Sequence, residues 1–405
     1  MTMDPTWTMR QRALAIMNGK QPDRLPFITR LETWYKSHLR SGTLPPEYSE
    51  MTLPEVHRAL NVGQLKFIVP FAYRLKGVEV RVWFNDVQTH HEYEPVLENF
   101  PGMWDFVPTD RPGTTNTELV TPVGKLRLQH RLAEENVLTG TDPYLREHLI
   151  KDAADDRTIE YILERLEWVP RFGNYYEEQA HLGEDALVVP LLLRIPFQQI
   201  LLEYLGETPL FYTLHDQAER VRRLLYLLDQ QMEELLHQIS GLQAPYVEFP
   251  DNLHGLMTNP KLFREFCLPA YQKYTEILHG QGKKVGSHTD GNVKPLLNLL
   301  ADSGLDVCES FSPYPLSECL FEEAWKAWAS GPVIWGGIPS TLLEERTSPE
   351  EFSTILEELF LTIDRPMIFG IVDLFMRHNS IERVGTIAKE LEKRTWQTQR
   401  LSIQA

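Results

Sequence analysis

The 405-residue sequence is short of cysteine, of basic charge and of long apolar runs. Its cysteines number three, Cys267, Cys308 and Cys319, with no CxxC spacing among them. That excludes a disulfide framework and suits a reducing, cytoplasmic setting. The formal net charge is −17, which argues against nucleic acid or an anionic membrane as the main partner. No stretch reaches the roughly 18 uninterrupted apolar residues of a membrane span, and MTMDPTWTMRQRALAIMNGK does not read as a secretory signal. There is no low-complexity tract and no repeat of fixed period. No GxGxxG follows any strand-like run, so the dinucleotide fingerprint is missing. A corrinoid-binding DxHxxG is also lacking.

What is present is an alternation of short apolar runs with longer helical ones. ALVVPLLL (186–193), PYVEFP (245–250), KKVGSH (283–288), LDVCESF (305–311), PVIWGGI (332–338) and PMIFGIV (366–372) read as buried strands, and PFITRL (26–31) as an earlier one. Between them, VRRLLYLLDQQMEELLHQI (221–239) sets Leu224, Leu225, Leu228, Met232, Leu235, Leu236 and Ile239 on one helical face. Asn259 before Pro260 and Ser348 before Pro349 predict helix starts, with Glu351 placed to close a capping box. Ser380 opens a last helix. Strand then helix, repeated, predicts an α/β fold with a parallel sheet. Six such strands follow residue 185, and one or two more near the N-terminus complete the eight of a (β/α)8 TIM barrel. A doubly wound open sheet is the rival architecture. Residues 73–135 break the pattern: VEVRVWF and KLRLQHRL alternate as antiparallel strands do. We expect a single domain over 1–405, with 73–135 a β insertion over the barrel mouth.

In a parallel barrel the active site forms at the C-terminal strand ends. Those ends carry Arg30 and Glu32, Arg194, Glu248 and Asp251, His288 and Asp290, Glu309, and Asp373. Gly336 and Gly337 stand where a backbone can approach a ligand closely. So many ionisable groups on one face suggest a polar pocket. Each also has a plainer role open to it. His288 can be a structural histidine, and Asp290 before Gly291 a turn or cap residue. Glu248 and Glu309 can be structural carboxylates paired with Arg30 and Arg194. Cys308 points away from Glu309 by strand alternation and reads as a small buried hydrophobe. His90 and His91 read as a solvated loop pair.

Several stretches resemble the uroporphyrinogen decarboxylase superfamily, which also contains barrel methyltransferases that work with corrinoid proteins. They are RQRALAIMNGKQPDRLPF near the start, VTPVGKLR (120–127), RIPFQQILLEYLGE (194–207), the long run from TNPKLFREFCLPAY through GSHTDGN to DVCE, and IWGGIPS. Two activities follow from the resemblance. A metal-free decarboxylase would hold a porphyrinogen's carboxylates with arginines, for which Arg30 and Arg194 are the candidates. The methyltransferase branch binds zinc through an H-x-C motif and a later cysteine, where this chain has His288-Thr289-Asp290 and no cysteine near Asp373. Zinc accepts nitrogen and oxygen ligands, so the expected metal ligands are His288 and Asp290, from a set of His288 with two of Asp290, Glu248, Glu309 and Asp373; with Asp251 these residues form the expected catalytic set. Arg30, Glu32, Trp34, Arg194, Tyr204 and Gly337 are the residues the resemblance offers for substrate binding. The expected enzyme moves a methyl group between a small substrate and a corrinoid carried by a separate protein, with zinc assisting. The alternatives are the decarboxylase, which needs no cofactor, and an inactive ligand-binding barrel. The family likeness also implies a homodimer.

Overall fold

A computed structural model describes residues 7–394 of the chain; the first six residues of the N-terminal stretch lie outside it. The chain divides into two compact units. Among the described residues one comprises 7–68, Tyr175–Leu191 and 244–394, the other Val69–Asn174 and Leu192–Gln243.

The first unit is α/β with parallel strands: β1 (Ile28–Thr29), β2 (Gly63–Ile68), β3 (Ala186–Pro190), β4 (Tyr246–Leu253), β5 (Lys284–Thr289), β6 (Val307–Phe311), β7 (Val333–Pro339) and β8 (Ile368–Val372). β1, β2 and β3 form one sheet in that order, and β4 to β8 form another. All pairings within both sheets are parallel. Single parallel bridges link Phe27 to Phe369 and Leu191 to Glu248, so each edge of the smaller sheet meets an edge of the larger. The apolar runs behave as expected of strands covered on both faces: every residue of β3 and β6 is buried. β2 was not among the expected strands. GQLKFI interleaves Gln64 and Lys66 with its apolar residues, yet Gln64 is buried, 6 % exposed.

Helices return the chain between strands. Asn259 caps as expected, its side chain accepting from the backbone N–H groups of Lys261 and Leu262. Ser348 accepts from Glu351 N–H ahead of the helix Pro349–Thr362, and Ser380 from Arg383 N–H ahead of Ile381–Lys393. Among the inward side chains, the Tyr246 and Trp335 rings lie 6.1 Å apart. The Trp335 indole donates to Ile28 O at 3.0 Å, giving the buried ring nitrogen its partner.

The second unit holds a five-stranded antiparallel sheet. Its order is Val87–Tyr93, Glu79–Phe84, Gly113–Thr121, Gly124–Leu132 and Tyr144–Glu147. His90 and His91 sit on a strand of this sheet rather than in a loop. The helix Ala218–Gln238 belongs here too. It buries Leu224, Leu228, Met232, Leu235 and Leu236 as its periodicity predicts, but Leu227 takes the core position expected of Leu225. Among the described residues no helix is long and apolar enough to cross a membrane.

Candidate metal centre at the ends of β4, β5 and β6

Strand alternation and register assemble the site. Tyr246 and Glu248 are two apart on β4 and share a face. Opposite Glu248 on β5 is Gly286, and His288, two further along β5, pairs with Glu309 on β6. Glu248, His288 and Glu309 thus offer one ligand atom each, all within 4.8 Å of one another. The His288 Nδ1 atom meets the Glu309 carboxylate directly. The Tyr246 hydroxyl donates to Glu248 Oε2 at 2.7 Å. Glu248 Oε1 is buried and has no hydrogen-bond partner among the described residues.

Electrostatics make this cluster unstable without a cation or a proton. Glu248 is fully buried. Burial, and next the Glu309 charge, push its carboxyl well above the usual carboxylate range, while the Tyr246 hydroxyl and the Arg30 charge pull the other way. Two carboxylates in a dry site cannot both ionise unless positive charge joins them.

The backbone bends at this point. The β4–β5 register shifts between Phe249 and Leu253, and the β6–β7 register between Cys308 and Phe311. Asn252 (φ 50°), Ser310 (φ 61°) and Asp373 (φ 65°) are non-glycine residues in the left-handed region at the ends of β4, β6 and β8. Such bulges and strained residues collect beside functional sites, where they re-aim side chains.

The other expected site residues take different places. Asp251 is buried, but three residues from Glu248 it faces the other side of β4, where it accepts from the Tyr271 hydroxyl of the helix Leu268–Gly280 at 2.5 Å and from the Ser287 hydroxyl of β5 at 3.2 Å. Asp290, named with His288 as a metal ligand, is exposed and is not in the ligand cluster; its backbone N–H donates to Leu253 O at 2.8 Å. Nor does it cap the helical turn Lys294–Leu296, whose N-cap is Val293 with no side-chain cap bond; just before it the Asn292 side chain accepts from Lys294 N–H at 3.0 Å. Gly291 (φ 63°) allows this turn, and its missing side chain leaves room for the His254 ring. Asp373 is exposed and accepts from the next backbone N–H, that of Leu374. Arg30 is half-buried, with its guanidinium 5.2 Å from the centre of the Phe67 ring. Burial raises the Glu32 carboxyl, and Arg30, Lys66 and Lys36 offset this. Trp34 is buried against His38 and Phe375, 4.8 and 6.1 Å between ring centres. A side chain on Gly337 would meet Phe321 and Met367, so its close approach is to the protein's own core. Arg194 and Tyr204 belong to the second unit. Arg194 pairs with Glu203 at 3.0 Å, and Tyr204 is buried with its ring 6.4 Å from that of Phe100. Cys308 is buried, as alternation with Glu309 requires.

Sequence reasoning missed Tyr246 and Gly286. Tyr246 had a signal, its spacing of two from Glu248. Gly286 had none, because only the β4–β5 register shows it opposite Glu248.

The uroporphyrinogen decarboxylase (URO-D) family model matches residues 208–360, a span that contains Glu248, His288 and Glu309. A solved methyltransferase from Methanosarcina mazei is similar in fold, at 13 % identity and TM-score 0.53, over 96 % of this chain and 99 % of that one. A structure of the pneumococcal virulence factor StrH aligns at 8 % identity over 92 % of this chain and 84 % of that one; its TM-score of 0.37 is too low to carry an argument. No curated protein matches the chain.

Proposed function

We propose that this chain, which is similar to the uroporphyrinogen decarboxylase family over residues 208–360, is a methyltransferase-like enzyme of that superfamily whose Glu248, His288 and Glu309 hold a divalent metal ion, zinc by ligand type. The observation that carries this is the cluster itself: three nitrogen and oxygen ligand atoms within 4.8 Å, one of its carboxylates keeping a buried oxygen without a partner. Three protein ligands are what catalytic zinc sites use, leaving a position for substrate. An oxygen-rich set is harder and less zinc-selective than a thiolate one. The architecture is taken as a (β/α)8 barrel, supported by eight parallel strands whose two sheets touch at both edges.

When bound, the ion supplies Lewis acidity to a thiol or to a methyl ether oxygen. The chain's own residues do the rest. Glu309 orients the His288 ring. Tyr246 holds one Glu248 oxygen. Burial of Glu248 at 0 % exposure keeps water from that side. Arg30 adds positive charge that eases ionisation of Glu248. The methyl group passes between a small substrate and a corrinoid on a separate protein, since the chain has no corrinoid motif of its own. Cytoplasmic placement and a homodimer complete the proposal.

The test is metal content with a methyl-transfer assay. About one zinc per chain, lost in His288→Ala, supports the proposal; methyl transfer that survives full metal removal contradicts it. One observation favours the decarboxylase alternative: Arg30 is a half-buried cation with no carboxylate ion pair among the described residues. That alternative requires porphyrinogen turnover in the metal-free protein, lost in Arg30→Ala. An inactive barrel would pair its strand-end carboxylates with arginines, but Glu248 pairs with Tyr246 and Glu309 with His288.

A further inference from the structure

We propose that Tyr246 is a positioning residue for the metal-ligating carboxylate, and that the bare Gly286 opposite is what admits it. The inference rests on the metal reading above and deepens it. Tyr246 is 1 % exposed, and its ring is fixed beside Trp335. Its hydroxyl reaches Glu248 Oε2 at 2.7 Å. A Cβ at position 286 would stand 1.8 Å from that hydroxyl oxygen and 2.7 Å from the ring carbon bearing it. No side chain other than hydrogen fits there. Gly286 is also the register partner of Glu248. The two positions are therefore one device: the gap in β5 receives the tyrosine that β4 uses to hold its own carboxylate.

The consequence is chemical. A free carboxylate can bind a metal through one oxygen or two. The phenol proton takes one lone pair of Oε2, which leaves the unpartnered Oε1 the freer donor. Tyr246 thus biases Glu248 toward binding the ion through one oxygen. Outer hydrogen bonds of this kind are worth about 10–100-fold in metal affinity.

The test uses Co2+ as the metal probe on the full chain. Affinity is measured by calorimetry and coordination by the visible absorption of the bound ion, for wild type, Tyr246→Phe, Gly286→Ala and His288→Ala. Tyr246→Phe deletes one oxygen and keeps the ring, so the fold is retained by circular dichroism. We expect it to weaken Co2+ binding about 10–100-fold and to change the absorption bands as Glu248 gains a second oxygen contact. Gly286→Ala displaces the phenol and moves both readouts the same way. Where Gly286→Ala does not fold, Tyr246→Phe decides alone. Wild-type affinity and an unchanged spectrum in Tyr246→Phe, with binding abolished in His288→Ala, overturn the positioning role and leave the metal centre standing. Wild type that binds no Co2+ overturns both.

Discussion

His288 and Glu309 face each other as register partners on neighbouring parallel strands, and the imidazole Nδ1 touches the carboxylate. The Thr289 hydroxyl ties the same strands together by donating to Glu309 O at 2.7 Å. Ring orientation at a metal-ligating histidine is commonly set by such a carboxylate. Here that carboxylate stands close enough to ligate as well.

Glu309→Gln keeps the shape of the side chain and removes its charge. We expect metal affinity to fall at least tenfold, on the order of 1.4 kcal/mol, with little change in metal-free thermal stability. Calorimetric titration beside a melting curve checks both. An unchanged affinity would place Glu309 outside the ligand set.

Glu248 is held at a cost in the metal-free protein. Its carboxyl is buried beside another carboxylate, so neutralising it relieves an unfavourable charge. Glu248→Gln should raise metal-free stability by about 1 kcal/mol and abolish the thermal upshift that metal gives wild type. At a metal concentration 100 times the dissociation constant that upshift corresponds to about 2.7 kcal/mol. A variant that is less stable without metal, yet still stabilised by it, would contradict this account of the site.

His57 supplies a pH dependence away from the site. It is buried, and burial lowers its pKa from 6.5 to about 4. The folded protein therefore refuses a proton that the unfolded chain accepts below pH 6.5. The stability concerned is present above that value and is lost as pH falls toward 4, by up to about 3 kcal/mol. Unfolding midpoints at pH 7.5 and pH 5 should differ less in His57→Leu than in wild type. Equal differences in the two proteins would remove His57 from the acid limb.

The thiols offer a check on the core. Cys267, Cys308 and Cys319 are all buried. Burial raises each: Cys319 to about 12, and Cys267 well upward with help from the Asp251 charge. An aromatic disulfide reagent should find no reactive thiol in the native protein and three after guanidinium unfolding. A fast-reacting thiol in the native state would show that one of these sites opens.

The strands from residue 185 onward were legible because covering on both faces writes them as apolar runs. GQLKFI was not, because it buries Gln64 among alternating residues. Within the site, His288, Glu248 and Glu309 could be picked as strand-end groups, but their convergence depends on register, which a single sequence does not carry. Asp251, Asp290 and Asp373 show the limit of counting strand ends. Asp251, three residues from Glu248, falls on the opposite face of β4 by alternation, Asp290 lies where the chain leaves β5 for the turn at Gly291, and Asp373 takes a left-handed conformation just past β8. Proximity to a strand end was readable; for Asp290 and Asp373 the direction of the side chain was not.

The most direct test of the central claim is elemental analysis of purified protein after reloading with zinc and removal of loosely bound metal. Wild type, His288→Ala and Glu248→Ala are compared. The account predicts about one zinc per chain in wild type and close to none in either variant. A wild-type protein that retains no metal, or variants that retain as much as wild type, would contradict it.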